Sequence, residues 1–294
     1  MLMIQMTGGM GNQMFYYALY KALQAEGKDV CMEDFTHYAE IGRTDNRLES
    51  IFPLTYKRAT KKEYDRLTDS SMLPWKRVRR KLLGRKGKVY KEKDAFTFEE
   101  ALFSLEDAYC VGYWQSERYF EKVKALLYKD FSFDWNSFPA KALEYRKRMQ
   151  DTMAVSVHVR RGDYLNEKFK GLYGGICTEA YYEGAMAYMR KTLEKCTFFL
   201  FTNDRKWGEA QTKADVVYVD CAEADTAYLD MALMSCCKHH ILANSSFSYW
   251  GAWLNQSPDR IVVTPSIWLN GSKGQDIYAG LDAVKIDAKG NVEL

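Results

Sequence analysis

The chain has 294 residues, of which 47% are hydrophobic and 28% charged, and its formal net charge is +3 at pH 7. This composition is typical of a globular protein with one large domain or two modest ones, and it excludes intrinsic disorder. No apolar run approaches the roughly 18–20 residues that a membrane span requires. The segment Met1–Met6 lacks the charged start and the cleavage site of a signal peptide. The seven cysteines form no Cys-x-x-Cys pair, which favours free thiols in a reducing compartment. We therefore expect a cytoplasmic protein.

The chain begins with a pattern that predicts a β-α-β unit. Leu2–Met6 is expected to form a strand, residues 7–13 a tight loop, Met14–Glu26 a helix and Val30–Glu33 a second strand. The glycines of the loop allow a ligand to approach the backbone closely, and its amide side chains offer hydrogen-bond donors and acceptors. The loop residues that we expect to line a cleft are Gly9, Gly11, Asn12 and Gln13.

The same loop matches the beginning of a dinucleotide-binding fingerprint, and Glu33 stands about where a ribose-binding acid would. Met14 replaces the third glycine of that fingerprint. A dinucleotide-dependent enzyme, such as an NAD-linked oxidoreductase, is therefore an alternative and not the leading interpretation.

A strongly basic stretch extends from Lys76 to Lys93. It holds ten basic residues against one acid and therefore carries a net charge of +9, which leaves the rest of the chain acidic. A solvated loop explains such a stretch, and so does contact with an anionic membrane surface or a lipid-linked substrate. We expect no nucleic-acid partner, because neither interleaved aromatic residues nor a reading motif accompanies the charge. The expected role is peripheral contact with the inner face of a membrane.

From about residue 152, strands and helices alternate regularly, which predicts a parallel, doubly wound sheet. The predicted elements are the strand Ala154–Val159, helix Glu179–Glu194, strand Thr197–Thr202, helix Trp207–Lys213, strand Val216–Val219, helix Thr226–Lys238, strand His240–Ala243, helix Phe247–Asn255 and strand Arg260–Thr264. Two Rossmann-like α/β domains, residues 1–150 and 151–294, with a cleft between them are the simplest architecture.

The first predicted strand of the second half runs into His158-Val-Arg-Arg-Gly-Asp-Tyr164. Side chains alternate across a strand, so His158 and Arg160 share one face and Arg161 lies on the other. Ligands of α/β sheets bind beyond the carboxyl ends of strands, and guanidinium groups bind phosphate by paired hydrogen bonds. This predicts a site for an anionic ligand. A surface loop whose arginines pair with local carboxylates is the simpler alternative.

A second anion-binding pattern lies in Ala243–Asn255, where a strand runs into Asn244-Ser-Ser-Phe247 and then a helix. Backbone N–H groups, hydroxyl groups and the positive end of the helix dipole would converge there, although helix capping by Asn244 or Ser245 alone also explains the pattern. Two such features in one domain suggest one diphosphate held from both sides. Asp220 and Asp230 are acids that could receive a purine or a ribose, or could simply be solvated. The chain contains no Asp-x-Asp, and its histidines lack metal-ligand spacing, so we expect metal-free chemistry.

Four motifs stand in a fixed order along the chain: Gly8–Ala18, His158–Tyr164, Phe201–Asp204 and Ala243–Leu254. In this order they resemble the α-1,2-fucosyltransferases of glycosyltransferase family 11, over residues 8 to about 265. The basic stretch corresponds to none of these motifs, and Tyr249 stands where family members often carry tryptophan.

The resemblance implies a GT-B-like fold, a GDP-β-L-fucose donor in the C-terminal domain and an acceptor in the N-terminal domain. It further implies inverting transfer of L-fucose to O2 of a terminal β-galactoside on a glycan, without a metal or other cofactor. His158 matches a position that contacts the nucleotide in related fucosyltransferases. Arg160 would stabilise the departing diphosphate, and Arg161 would hold the loop or reinforce the positive electrostatic field. The expected donor-binding residues are His158, Arg160, Arg161, Asp230, Asn244, Ser245, Ser246 and Phe247.

Inverting transfer also needs a base that accepts the proton of the acceptor hydroxyl. Asp163 lies in the arginine motif and is preferred, while Glu179, at the start of a predicted helix, is the alternative. Asp163 could instead orient the arginines. The predicted catalytic residues are thus Arg160 and Asp163. A sugar-binding module without turnover is the remaining alternative function.

Overall fold

The computed structural model describes residues 1–37, 48–94, 96–161, 167–223, 225–272 and 276–293. The chain divides into two compact units, Met1–Asp130 and Phe131–Leu294. None of the helices in these described ranges is long and apolar enough to cross a membrane. All seven cysteines lie in the described ranges and are free.

The first unit contains a four-stranded parallel sheet with the order β2-β1-β4-β3. Its strands are β1 (Leu2–Gln5), β2 (Val30–Glu33), β3 (Val89–Lys91) and β4 (Ala108–Val111), and its helices are α1 (Met10–Ala25), α2 (Lys61–Thr68), α3 (Pro74–Leu83) and α4 (Lys124–Asp130). Helix α1 begins at Met10, one turn before the predicted start, and most of its residues are buried. The β-α-β prediction is confirmed, since β1 pairs with β2 in parallel.

The second unit contains a seven-stranded sheet with the order β11-β10-β9-β8-β5-β6-β7. All neighbouring strands are parallel except β10 and β11, which are antiparallel. The strands are β5 (Ala154–Val159), β6 (Thr197–Thr202), β7 (Val216–Tyr218), β8 (His239–Ile241), β9 (Val262–Pro265), β10 (Val284–Ile286) and β11 (Val292–Glu293). The helices are α5 (Ala140–Gln150), α6 (Glu167–Tyr173), α7 (Glu179–Thr192), α8 (Arg205–Ala210), α9 (Tyr228–Cys236) and α10 (Ser246–Trp253). The predicted α/β class with two Rossmann-like units is confirmed.

The core beneath one face of the second sheet shows why β5 and α7 form. Val155, Val157 and Val159 alternate along β5 and pack in one apolar cluster with buried residues of α7 that recur every fourth position. Those residues are Tyr181, Ala185 and Met189. Since the valines occupy this face, Ser156 and His158 must project from the opposite face.

The boundary between the units lies between Asp130 and Phe131, and not after residue 150 as we predicted. The reason is helix α5, which we had placed in the first domain. Its residues Ala142 and Met149 are buried, and the helix packs against α9 of the second unit.

Candidate functional site

Several strand ends of the second unit meet at one edge of its sheet. The chain passes from β5 to β6 and β7 on one side and then crosses over to β8 on the other side of β5. The direction of winding therefore reverses between β5 and β8. Open α/β sheets bind ligands beyond the carboxyl ends of the strands at such a switch point. His158 lies near the end of β5, and the segment Asn244–Phe247 follows β8.

A buried hydrogen-bond network joins the two strands at the switch point. Nδ1 of His240 lies 2.8 Å from Oγ of Ser156, and its Nε2 lies 2.8 Å from Nδ2 of Asn255. The Oδ1 of Asn255 accepts from the backbone N–H of Ser257, which fixes the orientation of the amide. Nε2 of His240 is therefore an acceptor, and its Nδ1 donates to Ser156. Burial, more than the nearby Arg260, lowers the pKa of His240 to about 3, so the ring is neutral and structural.

His158 is the buried polar group that faces the predicted site. Its side chain is 6% exposed, and its Nδ1 is buried without a hydrogen bond to any described residue. Burial, and secondarily Arg160, lower the pKa of His158 to about 3. The ring is therefore neutral at physiological pH and can make hydrogen bonds but carries no charge. A buried ring nitrogen that lacks a partner is a group that a ligand can satisfy.

The start of α10 lies against His158. The rings of His158 and Phe247 have their centroids 5.6 Å apart. Oγ of Ser245 accepts from the backbone N–H of Phe247 at 3.3 Å and so caps the helix. Helix capping by Ser245 is thus present, and its hydroxyl can still donate its proton to a ligand. Ser246 is the first residue of the helix and is half-buried.

The side chain of Asn244 holds the segment that precedes α10 in place. Its Nδ2 donates to the backbone oxygen of Trp268 at 3.1 Å, and its Oδ1 accepts from the thiol of Cys177 at 3.4 Å. The side chain is 1% exposed. These contacts give Asn244 a positioning role beside the predicted anion site.

The two arginines after β5 differ in their surroundings. Arg160 is half-buried and acts electrostatically on His158. Arg161 donates from Nε to Oδ2 of Asp204 at 3.1 Å, and its guanidinium lies 4.8 Å from the ring centroid of Trp207. Its backbone N–H donates to Oδ1 of Asn203 at 3.1 Å. Of the two roles that we expected for Arg161, these contacts correspond to holding the loop.

The motif Phe201–Asp204 thereby gains a role that sequence reasoning missed. Asp204 caps α8 by accepting the backbone N–H of Trp207 at 3.1 Å, and it binds Arg161 with its other oxygen. The available signal was an aspartate three residues before the predicted helix start at Trp207, since aspartate is a preferred N-cap residue and the observed helix begins at Arg205.

The proposed base Asp163 lies outside the described residues, as does Gly162. The alternative base, Glu179, is an exposed residue in the first turn of α7.

Asp230 lies in the first turn of α9, the helix that follows β7. Its Oδ1 is buried without a hydrogen bond to any described residue, and burial, with a smaller contribution from Asp220, raises its pKa to about 7. Asp220 is bound by Lys141 at 3.1 Å and by Arg205 at 3.0 Å. Asp220 is therefore paired within the protein, whereas Asp230 keeps a buried oxygen that no described residue hydrogen-bonds.

In the first unit, the loop after β1 is shaped by close contacts. Gly8 has a φ of +73°, which strains any residue with a side chain, and a Cβ at this position would lie 2.5 Å from Nδ2 of Asn12 and displace that amide. Asn12 accepts from Nε2 of Gln115 at 2.8 Å, while Nε2 of Gln13 donates to the backbone oxygen of Gly8 at 3.3 Å. The Oε1 of Gln13 is buried and lacks a hydrogen bond to any described residue. A Cβ on Gly9 would meet no atom within 4 Å, so the backbone there is open to a ligand.

Glu33 has a structural role. Its carboxylate accepts from the backbone N–H groups of Phe35 and Thr36, from the hydroxyl of Thr36 and from the hydroxyl of Tyr109, at 2.7–2.9 Å. These four bonds occupy the carboxylate that a dinucleotide site would use for ribose. They weigh against the oxidoreductase alternative.

Among the residues that the structure describes, no cluster of three or more His, Cys, Asp or Glu side chains is placed to hold a metal ion.

Comparisons with known proteins connect this site to a family. The family model for glycosyl transferase family 11 matches residues 88–278. An α-1,2-colitosyltransferase of Escherichia coli is 39% identical over 163 residues, which are 54% of this chain and 55% of that protein. The O-antigen biosynthesis glycosyltransferase WbnK of E. coli is 28% identical over 91% of this chain and 94% of its own length.

A third relative, galactoside alpha-(1,2)-fucosyltransferase 1 of Ateles belzebuth, is 34% identical over 34% of this chain and 28% of that protein. The matches thus span about half of the colitosyltransferase, about a quarter of the primate enzyme and nearly all of WbnK. The family model covers more than half of the chain and includes the β5 and β8 ends that build the candidate site. The chain belongs to glycosyltransferase family 11.

Proposed function

We propose that this glycosyltransferase moves L-fucose from GDP-β-L-fucose to O2 of a terminal β-galactoside, with inversion and without a metal. The observation that carries the proposal is the pairing of His158 with Phe247 at the switch point of the second sheet. It puts a buried ring nitrogen, which no residue that the structure describes hydrogen-bonds, beside the N-terminus of α10. A nucleotide diphosphate needs such a combination of specific hydrogen bonds and positive potential. In this proposal the second unit binds the donor and the first unit binds the acceptor.

Each donor-side residue then has a distinct task. Arg160 neutralises the charge that develops on the diphosphate as the glycosidic bond to GDP breaks. Ser245 and Ser246 donate hydrogen bonds from the start of α10, and Phe247 completes the site by packing its ring against His158. His158 makes a hydrogen bond as a neutral ring.

Three further residues complete the donor side. Arg161, held by Asp204, fixes the backbone next to Arg160, and Asn244 supports the start of α10. Asp230 offers its buried carboxyl group to the nucleoside.

The acceptor hydroxyl must lose a proton as its oxygen attacks the anomeric carbon. We assign Asp163 as the base that accepts this proton, and Glu179 is the alternative base. On the acceptor side, Gly9, Gly11, Asn12 and Gln13 are the proposed contacts. The open backbone at Gly9 supports this assignment, as does Oε1 of Gln13, which no described residue hydrogen-bonds. The protein is proposed to work in the cytoplasm, with the basic stretch Lys76–Lys93 in peripheral contact with the inner face of a membrane.

Because one relative is a colitosyltransferase, GDP-colitose is a second donor to test. Colitose is L-fucose without the 3-hydroxyl group, so the two donors differ by one polar group. A site that hydrogen-bonds that hydroxyl discriminates strongly against the deoxy sugar, because its own polar group would be left unpaired.

The direct test is transfer from GDP-fucose and from GDP-colitose to a panel of β-galactosides in the presence of EDTA, with NMR to assign the new linkage. We expect an α-1,2-fucosylated product and a higher kcat/KM for GDP-fucose. A higher kcat/KM for GDP-colitose would replace the donor assignment. Transfer that requires added Mn²⁺, or that fails on every galactoside, would contradict the proposal. Thermal stabilisation by NAD but not by GDP would revive the oxidoreductase alternative.

A further inference from the structure

The basic stretch contains a helix, α3, that exposes several large apolar side chains. Trp75, Val78 and Leu82 are spaced as neighbours on one side of a helix and are 63%, 58% and 76% exposed. Met72 and Leu73, just before the helix, and Leu83 at its end are also at least half exposed. We call these six residues the apolar strip. No residue of α3 is buried, so the helix contributes nothing to the core of its unit.

The orientation of α3 is fixed by its basic side. Arg79 and Arg80 form ion pairs with Asp69, which also accepts the backbone N–H of Lys86 at 3.0 Å. At 100° per residue, Arg80 lies on the side of the helix away from Trp75, Val78 and Leu82, whereas Arg79 lies beside Trp75. Asp69 thus holds the helix through Arg80 on the far side, and Trp75, Val78 and Leu82 remain exposed.

We propose that α3 lies in the interface of an anionic lipid bilayer, with the apolar strip inserted among the upper acyl chains. The helix carries five cations and no acid, which suits an anionic surface. Arg77 and Lys81 are exposed and could reach phosphate groups while the strip is buried. An apolar patch with this rim of cations marks an interaction surface and not an ordinary solvated face.

Charge favours a membrane over a second copy of this chain. Two α3 helices packed through their apolar strips would bring together two helices that each carry five cations, of which Arg79 and Arg80 pair with Asp69. The remaining like charges repel at short range. The proposal rests on the proposed function for its biological sense, since a lipid-linked acceptor would lie at the same surface. Binding to vesicles, however, requires no turnover.

The test is co-sedimentation of the full chain with phosphatidylcholine vesicles, with and without phosphatidylglycerol. We compare the wild type with a triple variant, Trp75→Ser, Val78→Ser and Leu82→Ser. The matched control replaces three other exposed leucines that are 38–45% exposed and lie outside the strip. Those leucines are Leu126, Leu143 and Leu172.

We expect binding only to the anionic vesicles, and a loss of partitioning of about tenfold or more in the strip variant but not in the control. Both variants should keep the circular dichroism spectrum and the transfer rate to a soluble β-galactoside. Undiminished binding of the strip variant would overturn the proposal in favour of contact by charge alone. A wild-type dimer that the strip variant converts to a monomer, measured by light scattering, would assign the strip to a second copy. Vesicle binding without any transfer would overturn the proposed function and leave this inference standing.

Discussion

Asp204 has two roles, capping α8 and holding Arg161, and different replacements of this residue can distinguish them. Asp204 caps the helix with one carboxylate oxygen and binds Nε of Arg161 with the other, each at 3.1 Å. Alanine at an N-cap position costs about 1 kcal/mol. The ion pair is partly exposed and screened by solvent, so its loss adds about 0.5 kcal/mol. We therefore expect Asp204→Ala to lower the free energy of unfolding by about 1–2 kcal/mol.

Asparagine is the informative replacement, because it retains a capping oxygen and loses the charge that holds Arg161. Asp204→Asn should destabilise the protein by no more than about 0.5 kcal/mol. If Arg161 fixes the backbone next to Arg160, the same variant should lose about tenfold in kcat/KM, since misplacement of a catalytic group reduces the rate steeply.

The matched control is Asp215→Asn. Asp215 accepts from Nε and Nη2 of Arg190 at 2.9 and 2.8 Å, in a similarly exposed pair of the same unit. Urea unfolding and steady-state transfer from GDP-fucose measure both quantities. Wild-type kcat/KM in Asp204→Asn, or an equal loss in Asp215→Asn, would refute the positioning role of Asp204.

Three further predictions concern the proposed donor site. Arg160→Ala should lower kcat/KM about a hundredfold, which corresponds to about 3 kcal/mol, and Arg160→Lys should recover little because lysine lacks the planar guanidinium group. Arg161→Ala should lower kcat/KM less. Near-normal transfer by a folded Arg160→Ala variant would reject the role of Arg160. The pKa of His158 is about 3 in the folded protein and about 6.5 when unfolded. The unfolded chain therefore binds the extra proton, and stability present above about pH 6.5 is lost as the pH falls towards 3, by about 1.4 kcal/mol per unit. His158→Gln should show a weaker fall in urea midpoint on acidification than the wild type, and parallel curves would contradict the buried neutral ring. The pKa of Asp230 is raised to about 7, so this group favours the folded state least at high pH. Asp230→Asn should therefore raise the free energy of unfolding by more than about 1 kcal/mol at about pH 8, and by less at about pH 5. Calorimetry should show that this variant binds GDP more weakly. Unchanged affinity would remove Asp230 from the donor site.

The sequence predicted those parts of the site that depend on short-range order. Alternation along β5 placed His158 opposite the valines that pack under α7, and the serine-rich turn before α10 was correctly associated with a helix start. The period-two and helix-start patterns are set by neighbours within a few residues, so they can be read from one sequence.

Contacts between distant segments could not be predicted in the same way. Arg161 and Asp204 are 43 positions apart, and nothing in either motif indicates that they bind each other. The carboxylate of Glu33 is likewise occupied by Tyr109, 76 positions away. Helix α3 was missed for another reason. Its charge is conspicuous, while its apolar strip consists of only a few residues whose exposure depends on how Asp69 holds the helix.

The combination of a neutral His158 with a charged Arg160 follows from where each side chain lies. A histidine beyond the strand, in water, would titrate near physiological pH and its charge would vary with conditions. Within β5 the ring is buried, and the neighbouring guanidinium further disfavours its protonation. Arginine keeps its charge even when partly buried. In the proposed function, Arg160 therefore supplies the positive charge for the departing diphosphate at every physiological pH, while His158 adds a directional hydrogen bond that does not compete for that charge. Such a division suits a transferase that stabilises its leaving group with side chains and a helix N-terminus.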